Sequence, residues 1–203
     1  MSEETTNPAP DAAPDGTLLT DGVQAQADAP AGDGGSGIGL RRPGEAPRAF
    51  AERLAREKAA AVASRRGGGT GTTLVLGADT VVVLDGEALG KPEGPAHAEA
   101  MLARLQGRAH RVVTGVALVG AGRAGVRSFA VESQVHMRAA GAEEIRRYVA
   151  TGEPLDKAGS YAAQGEGRRF ILRIEGSETN VIGLPMDETL RLLREAGLAW
   201  DAP

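Results

Sequence analysis

The stretch Gly77–Pro92, GADTVVVLDGEALGKP, constrains this chain more than any other. An apolar run, Leu74–Leu76, leads into Asp79, a lone carboxylate at the mouth of a second, β-branched run, Val81–Leu84. Asp85-Gly86 is a strong hairpin signal of the kind that needs positive φ. The return arm ends on Gly90-Lys91-Pro92. A hairpin of this size holds an acid at one strand end and a lysine on the return arm. That pairing suits polyphosphate chemistry, because a carboxylate can hold a hard divalent cation or activate water and an ammonium neutralises phosphate oxygens. A plainer reading stands beside it: Asp begins many turns, and an exposed Lys after Gly needs no task. Spacing alone leaves both open.

The 203 residues suit one domain, or one domain plus a tail. Hydrophobic residues make up 41% and aromatics only 3%, so the core is built of Val, Leu, Ile and Ala. No run approaches the roughly 20 apolar residues that cross a bilayer. The N-terminus is acidic and lacks the apolar stretch of a signal peptide. No membrane association is expected. The absence of cysteine excludes disulfides, thiolate catalysis and Cys-ligated zinc. His97, His110 and His136 lack metal-ligand spacing, and a reducing, cytoplasmic setting is the default expectation. The net charge of −4 conceals an asymmetry: of the 27 acids, seven lie in residues 1–36, which hold no Lys or Arg. The rest carries 23 bases against 20 acids, a mildly basic body compatible with anionic substrates. No basic run with interleaved aromatics suggests nucleic-acid binding.

Met1–Gly37, rich in Pro, Ala, Gly and Asp and without aromatics, reads as a disordered acidic tail, with Leu18, Leu19 and Val23 its only apolar cluster. Pro47 opens a helix to about Ser64, with Phe50, Leu54, Ala61 and Val62 on one face and Arg53, Arg56, Glu57 and Lys58 alternating in sign. Lys58 suits either a site or a solvated face. The Gly67–Gly71 run breaks the helix. A second helix, Pro95–Gln106, buries Ala98, Met101, Leu102 and Leu105 and stops at Gly107. His110–Val119 and Val126–Met137 read as strands, the latter with alternating Val131, Val135 and Met137. Ala142–Ala150 is a short helix and Phe170–Ile174 a strand. Leu184–Ala196 is an amphipathic terminal helix using Leu190, Leu192 and Leu193, with Trp200 packed near its end.

The loop from Asp156 through Lys157, Ser160 and Tyr161 to Gln164-Gly165 gathers a carboxylate, an ammonium, a hydroxyl, a phenol and an amide. Such loops bind ligands, or they are plain turns. Alternating helices and strands with some hairpins predict an α/β fold on a mixed sheet. There is no Rossmann fingerprint, P-loop or internal repeat.

Several segments together resemble the Maf family of nucleoside triphosphate pyrophosphatases. They are Arg56-Glu57-Lys58-Ala59, Gly77-Ala78-Asp79-Thr80-Val81-Val82, Gly90-Lys91-Pro92, Gly107 with His110, and Thr114-Gly115-Val116. Glu144-Ile145 with Tyr148, the run Gly152–Tyr161, Gln164-Gly165, Gly176-Ser177 and Asn180–Pro185 continue the match to about Gly197. The resemblance implies an elongated, twisted mixed sheet flanked by helices, with two lobes around a cleft. It implies metal-dependent cleavage of a nucleotide between its α- and β-phosphates, in a house-cleaning or cell-division-linked role. Asp79 matches the family's proton acceptor and a ligand of Mg²⁺ or Mn²⁺. Lys58, Lys91 and Lys157 match positions that neutralise phosphate. Thr80 and Gln164 match positions of base selection and resemble the subgroup acting on dTTP and UTP. A homodimer is compatible with the resemblance.

The chain also departs from the family pattern. Family members begin with an apolar strand and a loop of the S-x-S-P-R-R type, which nothing in residues 1–36 resembles. An Asp-Glu pair expected after a Gly-Ile step is replaced by Gly39-Leu40, and Arg41-Arg42-Pro43 does not stand in for the loop. Residues 38–203 are thus expected to form a Maf-like domain incomplete at its N-terminal side, the lost segment possessing no counterpart in this chain. Two functions follow: a dTTP/UTP pyrophosphatase, or a catalytically impaired relative that binds a nucleotide or a partner.

Overall fold

The computed structural model describes residues 41–65, 74–120 and 125–198. The expectations for the acidic tail, the Gly67–Gly71 break and Trp200 lie outside these residues. Helix α1, Pro47–Arg65, precedes the β1–β2 hairpin of Leu74–Leu84 and Glu87–Leu89. Asp85 at φ 52° and Gly86 at φ 83° form the positive-φ turn that the dipeptide demands. Helix α2, Pro95–Leu105, leads to a second hairpin, β3 (Ala109–Gly120) and β4 (Val126–Met137). Helix α3, Ala142–Ala150, is followed by three short 3₁₀ turns, strand β5 (Ile171–Glu175), and helices α4 (Glu178–Ile182) and α5 (Met186–Glu195).

The strands lie in the order β2-β1-β3-β4-β5 and helices flank the sheet, which is the expected α/β class. All four described pairings are antiparallel, where a mixed sheet was expected. The crossover through α2 explains this. It makes β2 and β3 run in the same direction, but β1 lies between them, so the parallel pair never touches.

Period-2 alternation gives the sheet two faces. One packs on α1: Phe50, Ala51 and Leu54 meet Val81, Val83, Val113 and Ala130, and farther along Ala55 and Ala59 meet Ala117 and Val119. The other carries the larger core, where Val82, Leu84, Val112 and Val135 pack with α2, α3, Tyr161 and Phe170. Leu192 of α5 closes that face over Val116 and Leu118.

One local expectation is corrected. Ala61 of α1 is exposed and Val62 half-buried; the buried stripe is instead Phe50, Ala51, Leu54, Ala55 and Ala59. Arg53 is buried, its guanidinium bonded to Glu45 at 2.8 and 2.9 Å and to Glu57 at 3.1 Å. Pairing with Arg53 holds the Glu45 carboxyl down at about 2. The terminal helix expected over Leu184–Ala196 is α5, and a separate short helix, α4, precedes it and ends at Gly183, φ 125°, before Pro185 caps α5.

Candidate active site

Asp79 is a mid-strand residue rather than a strand-end one, because Leu74–Leu84 forms one continuous strand through Gly77. Glycine is needed there for proximity. A Cβ on Gly77 would lie 2.7 Å from the Ala55 carbonyl oxygen, and one on Gly115, the cross-strand partner of Asp79, 2.3 Å from the Ala51 carbonyl. Ala51, Ala55 and Ala59, one turn apart, therefore let α1 lie directly on the sheet. That close approach lets the Lys58 ammonium form an ion pair with Asp79 Oδ1. The Asp79 side chain is only 13% exposed, whereas that of Lys58 is 51% exposed. Burial raises the Asp79 carboxyl above the ordinary aspartate value, and Lys58 and then Lys91 pull it back.

β2 pairs only with Val82–Leu84, so the edge of β1 from Leu74 to Val81 that faces away from β3 has no strand partner among the described residues. Along this edge Asp79 points toward α1 and Thr80 toward the opposite face. An extended ligand lying on the edge can reach both. Lys91, exposed beyond β2, contributes its field to Asp79. Lys157 sits in the neighbouring loop, where the Gly159 N–H donates to the Gly90 carbonyl at 3.0 Å and Lys157 Nζ pairs with Asp156 at 2.6 Å.

Gln164 is exposed and makes no hydrogen bond among the described residues. Its turn is nevertheless held on both sides. Buried His110 bonds through Nε2 to the Tyr161 hydroxyl at 2.6 Å, and the Ala162 N–H donates to the Tyr148 hydroxyl at 3.1 Å. Glu153 accepts the N–H groups of Glu166 and Gly167 at 2.9 and 3.4 Å. Burial pushes the His110 imidazole down to about 4 and the Tyr161 phenol up. The structure thus brings Lys58, Asp79 and Lys91 together and ties the Lys157 loop to them, while Gln164 stands at the apex of its own clamped turn.

On the other face, Thr80 shares a hydrogen bond with Thr114 at 2.9 Å, and the Thr114 hydroxyl donates to the Asn180 carbonyl at 2.8 Å. Sequence reasoning gave Thr114 and Asn180 no role. Both stand in the segments that carry the resemblance, and the local signal at Asn180 is Ser177, whose hydroxyl caps α4 by accepting the Asn180 N–H at 3.1 Å. A concavity of about 830 Å³ lies elsewhere, bordered by Arg48, Arg127, Phe129, Glu132, Arg191 and Leu192. Its charges are mixed and it excludes Asp79, so the buried carboxylate on the open strand edge is the better candidate.

No group of three or more His, Asp or Glu side chains converges as a metal cage among the described residues, and no helix there is long and apolar enough to cross a membrane. A sequence model of the family described as Maf-like protein matches residues 19–196. A protein of Anaeromyxobacter sp. named dTTP/UTP pyrophosphatase is 52% identical over 166 residues, covering 79% of this chain and 77% of its own. Relatives of the same name from Myxococcus xanthus and Geobacter metallireducens are 50% and 48% identical over 155 residues each, covering 76% of this chain and 76% and 79% of theirs. With the family match spanning most of its length and such relatives covering three quarters of it, this chain belongs to the Maf-like family.

Proposed function

We propose that this protein is a nucleoside triphosphate pyrophosphatase that hydrolyses dTTP and UTP to the nucleoside monophosphate and pyrophosphate. The observation that carries the reading is Asp79, a buried carboxylate paired with Lys58 on a strand edge unpaired among the described residues, in a chain about half identical to proteins named for that activity. The Asp79 carboxylate takes a proton from water. The water oxygen bonds to the α-phosphorus as the bond from that phosphorus to the α–β bridging oxygen breaks, and the electron pair leaves with pyrophosphate. Lys58, Lys91 and Lys157 neutralise the charge that develops on the leaving phosphates. The raised Asp79 value suits a base working closer to neutral pH. Thr80 and Gln164 contact the base, the amide offering both a donor and an acceptor to a pyrimidine edge.

The donors fit a divalent cation shared with substrate rather than caged by protein. Asp79 would hold Mg²⁺ or Mn²⁺ together with phosphate oxygens, a mode that Mg²⁺ favours, and the ion would neutralise charge at the phosphoryl oxygens.

Pyrophosphate release from dTTP and UTP, with and without Mn²⁺, tests this reading on the full chain and on Asp79→Asn. Turnover is expected to fall about 10²- to 10⁴-fold in the variant. Its melting temperature at pH 7 should rise. A carboxyl with a raised folded pKa adds stability below its unfolded value and loses it as pH rises through the folded one, so a neutral amide removes a penalty. Full turnover by Asp79→Asn overturns the role of Asp79.

A further inference from the structure

A hydroxyl carries one proton and donates one hydrogen bond, while its oxygen accepts others. Thr114 is fully buried, and its hydroxyl faces the Asn180 carbonyl oxygen at 2.8 Å, a group that can only accept. The Thr114 proton is therefore committed to Asn180. The Thr80 hydroxyl, 2.9 Å from Thr114 Oγ1, must then be the donor of that contact. The Asn180 side chain holds this backbone carbonyl in place against Thr114. Its Oδ1 accepts the Thr114 N–H at 3.2 Å, and its Nδ2 donates to the Val112 carbonyl at 3.1 Å and to Ser133 Oγ at 2.9 Å. Ser133 in turn donates to the Ser177 carbonyl at 2.9 Å. Backbone groups of fixed polarity terminate the network and set the direction of the hydroxyl bonds between them.

Only lone pairs remain on Thr80 Oγ1 for a ligand. Thr80 is half-buried, and the neighbour at its hydroxyl is a glycine: a Cβ on Gly183, at φ 125°, would come 3.5 Å from that oxygen and meet nothing else within 4 Å among the described residues. We propose that Thr114 and Asn180 fix the Thr80 hydroxyl as an acceptor, so that it selects a base presenting a ring N–H. Uracil and thymine carry that donor at N3, whereas the N3 of cytosine accepts. The inference rests on the reading of Thr80 as a base-selecting residue and supplies its chemistry. Thr114 is a positioning residue that acts through Thr80.

The test compares kcat/KM for UTP and CTP in the full chain, Thr80→Val, Thr114→Val and the double variant, each with a melting curve. Binding of α,β-imido-UTP and α,β-imido-CTP to the same set in an Asp79→Asn background gives the ratio independently of turnover. Thr114→Val removes the acceptor at nearly constant shape and frees the Thr80 proton to point at the ligand. The UTP:CTP ratio is expected to fall about tenfold or more, chiefly through KM. Thr80→Val falls comparably, the double variant falls no further than Thr80→Val, and Thr114→Ser restores the ratio. Equal losses on UTP and CTP in Thr114→Val, or additive losses in the double variant, overturn the proposal.

A chain that releases no pyrophosphate defeats the enzymatic reading alone, because the analogue binding ratio still decides this one. An unchanged ratio in Thr80→Val defeats base selection by Thr80 and the proposal with it. If Thr114→Val does not fold, the unmutated chain carries the test through a UTP analogue with ring C–H in place of the N3 N–H. That analogue should bind about tenfold more weakly than UTP, and equal binding overturns the proposal.

Discussion

Asp79 and Thr80 are consecutive residues, yet the two faces they serve are built from different physics. The face toward α1 uses charge, with a buried carboxylate, the Lys58 ammonium and the field of Lys91. The face toward α4 uses neutral hydrogen bonds among Thr80, Thr114, Asn180 and Ser133. Charge acts over distance and suits phosphates, whose position varies little between nucleotides. Directional hydrogen bonds act only in contact and suit the discrimination of bases. The edge of β1, unpaired there among the described residues, lets one ligand meet both without a cavity through the sheet.

The contrast breaks most severely from the neutral side. Asn180→Ala would leave the Val112 carbonyl and the Thr114 N–H without these partners in the interior and open a cavity. The expected loss is about 4 kcal/mol, a melting temperature lower by roughly 10 °C, measurable by calorimetry. A drop of only a degree or two would mean that α4 is held by something other than this amide.

Next in size is a pH effect from buried His110, which supports the turn bearing Gln164. Its folded value is about 4 against 6.5 for the free group, so between these values the unfolded chain binds a proton that the folded chain does not. Stability at that site is complete above about pH 6.5 and falls as pH drops toward 4, by about 3 kcal/mol in all. Denaturant titrations across this window should show the decline, and His110→Phe should flatten it.

The seam between the faces is tested by Gly115→Ala. Its Cβ would overlap the Ala51 carbonyl carbon and oxygen at 2.3 Å, so α1 must lift and carry Lys58 away from Asp79. We expect about 2 kcal/mol of destabilisation together with weaker turnover. The smallest stability effect belongs to Lys58→Met. This ion pair, with its ammonium half-exposed, should change the unfolding free energy by no more than about 1 kcal/mol, while the acid limb of the pH–rate profile moves to higher pH as Asp79 loses its counter-charge. An unmoved acid limb would separate Lys58 from the titration of Asp79.

Sequence alone made the Asp85-Gly86 turn legible, along with the start of α1 at Pro47, the α3 boundaries and the extent of β4, because each depends on backbone preferences of adjacent residues. Asp79 and Thr80 take opposite faces because one continuous strand contains both and its side chains alternate. Sequence alone did not show what covers each face. The Ala51–Ala55–Ala59 stripe became meaningful only against Gly77 and Gly115, and the burial of Arg53 depends on Glu45 folding back on it. In the sequence Asn180 was one polar residue ahead of the terminal helix. Tertiary structure decided its role by bringing it to Thr114, 66 residues earlier in the chain, and Thr114 to Thr80, 34 earlier still. Local preference sets each element, but hydrogen-bond direction and the proximity of charges depend on partners that only the packed sheet brings together.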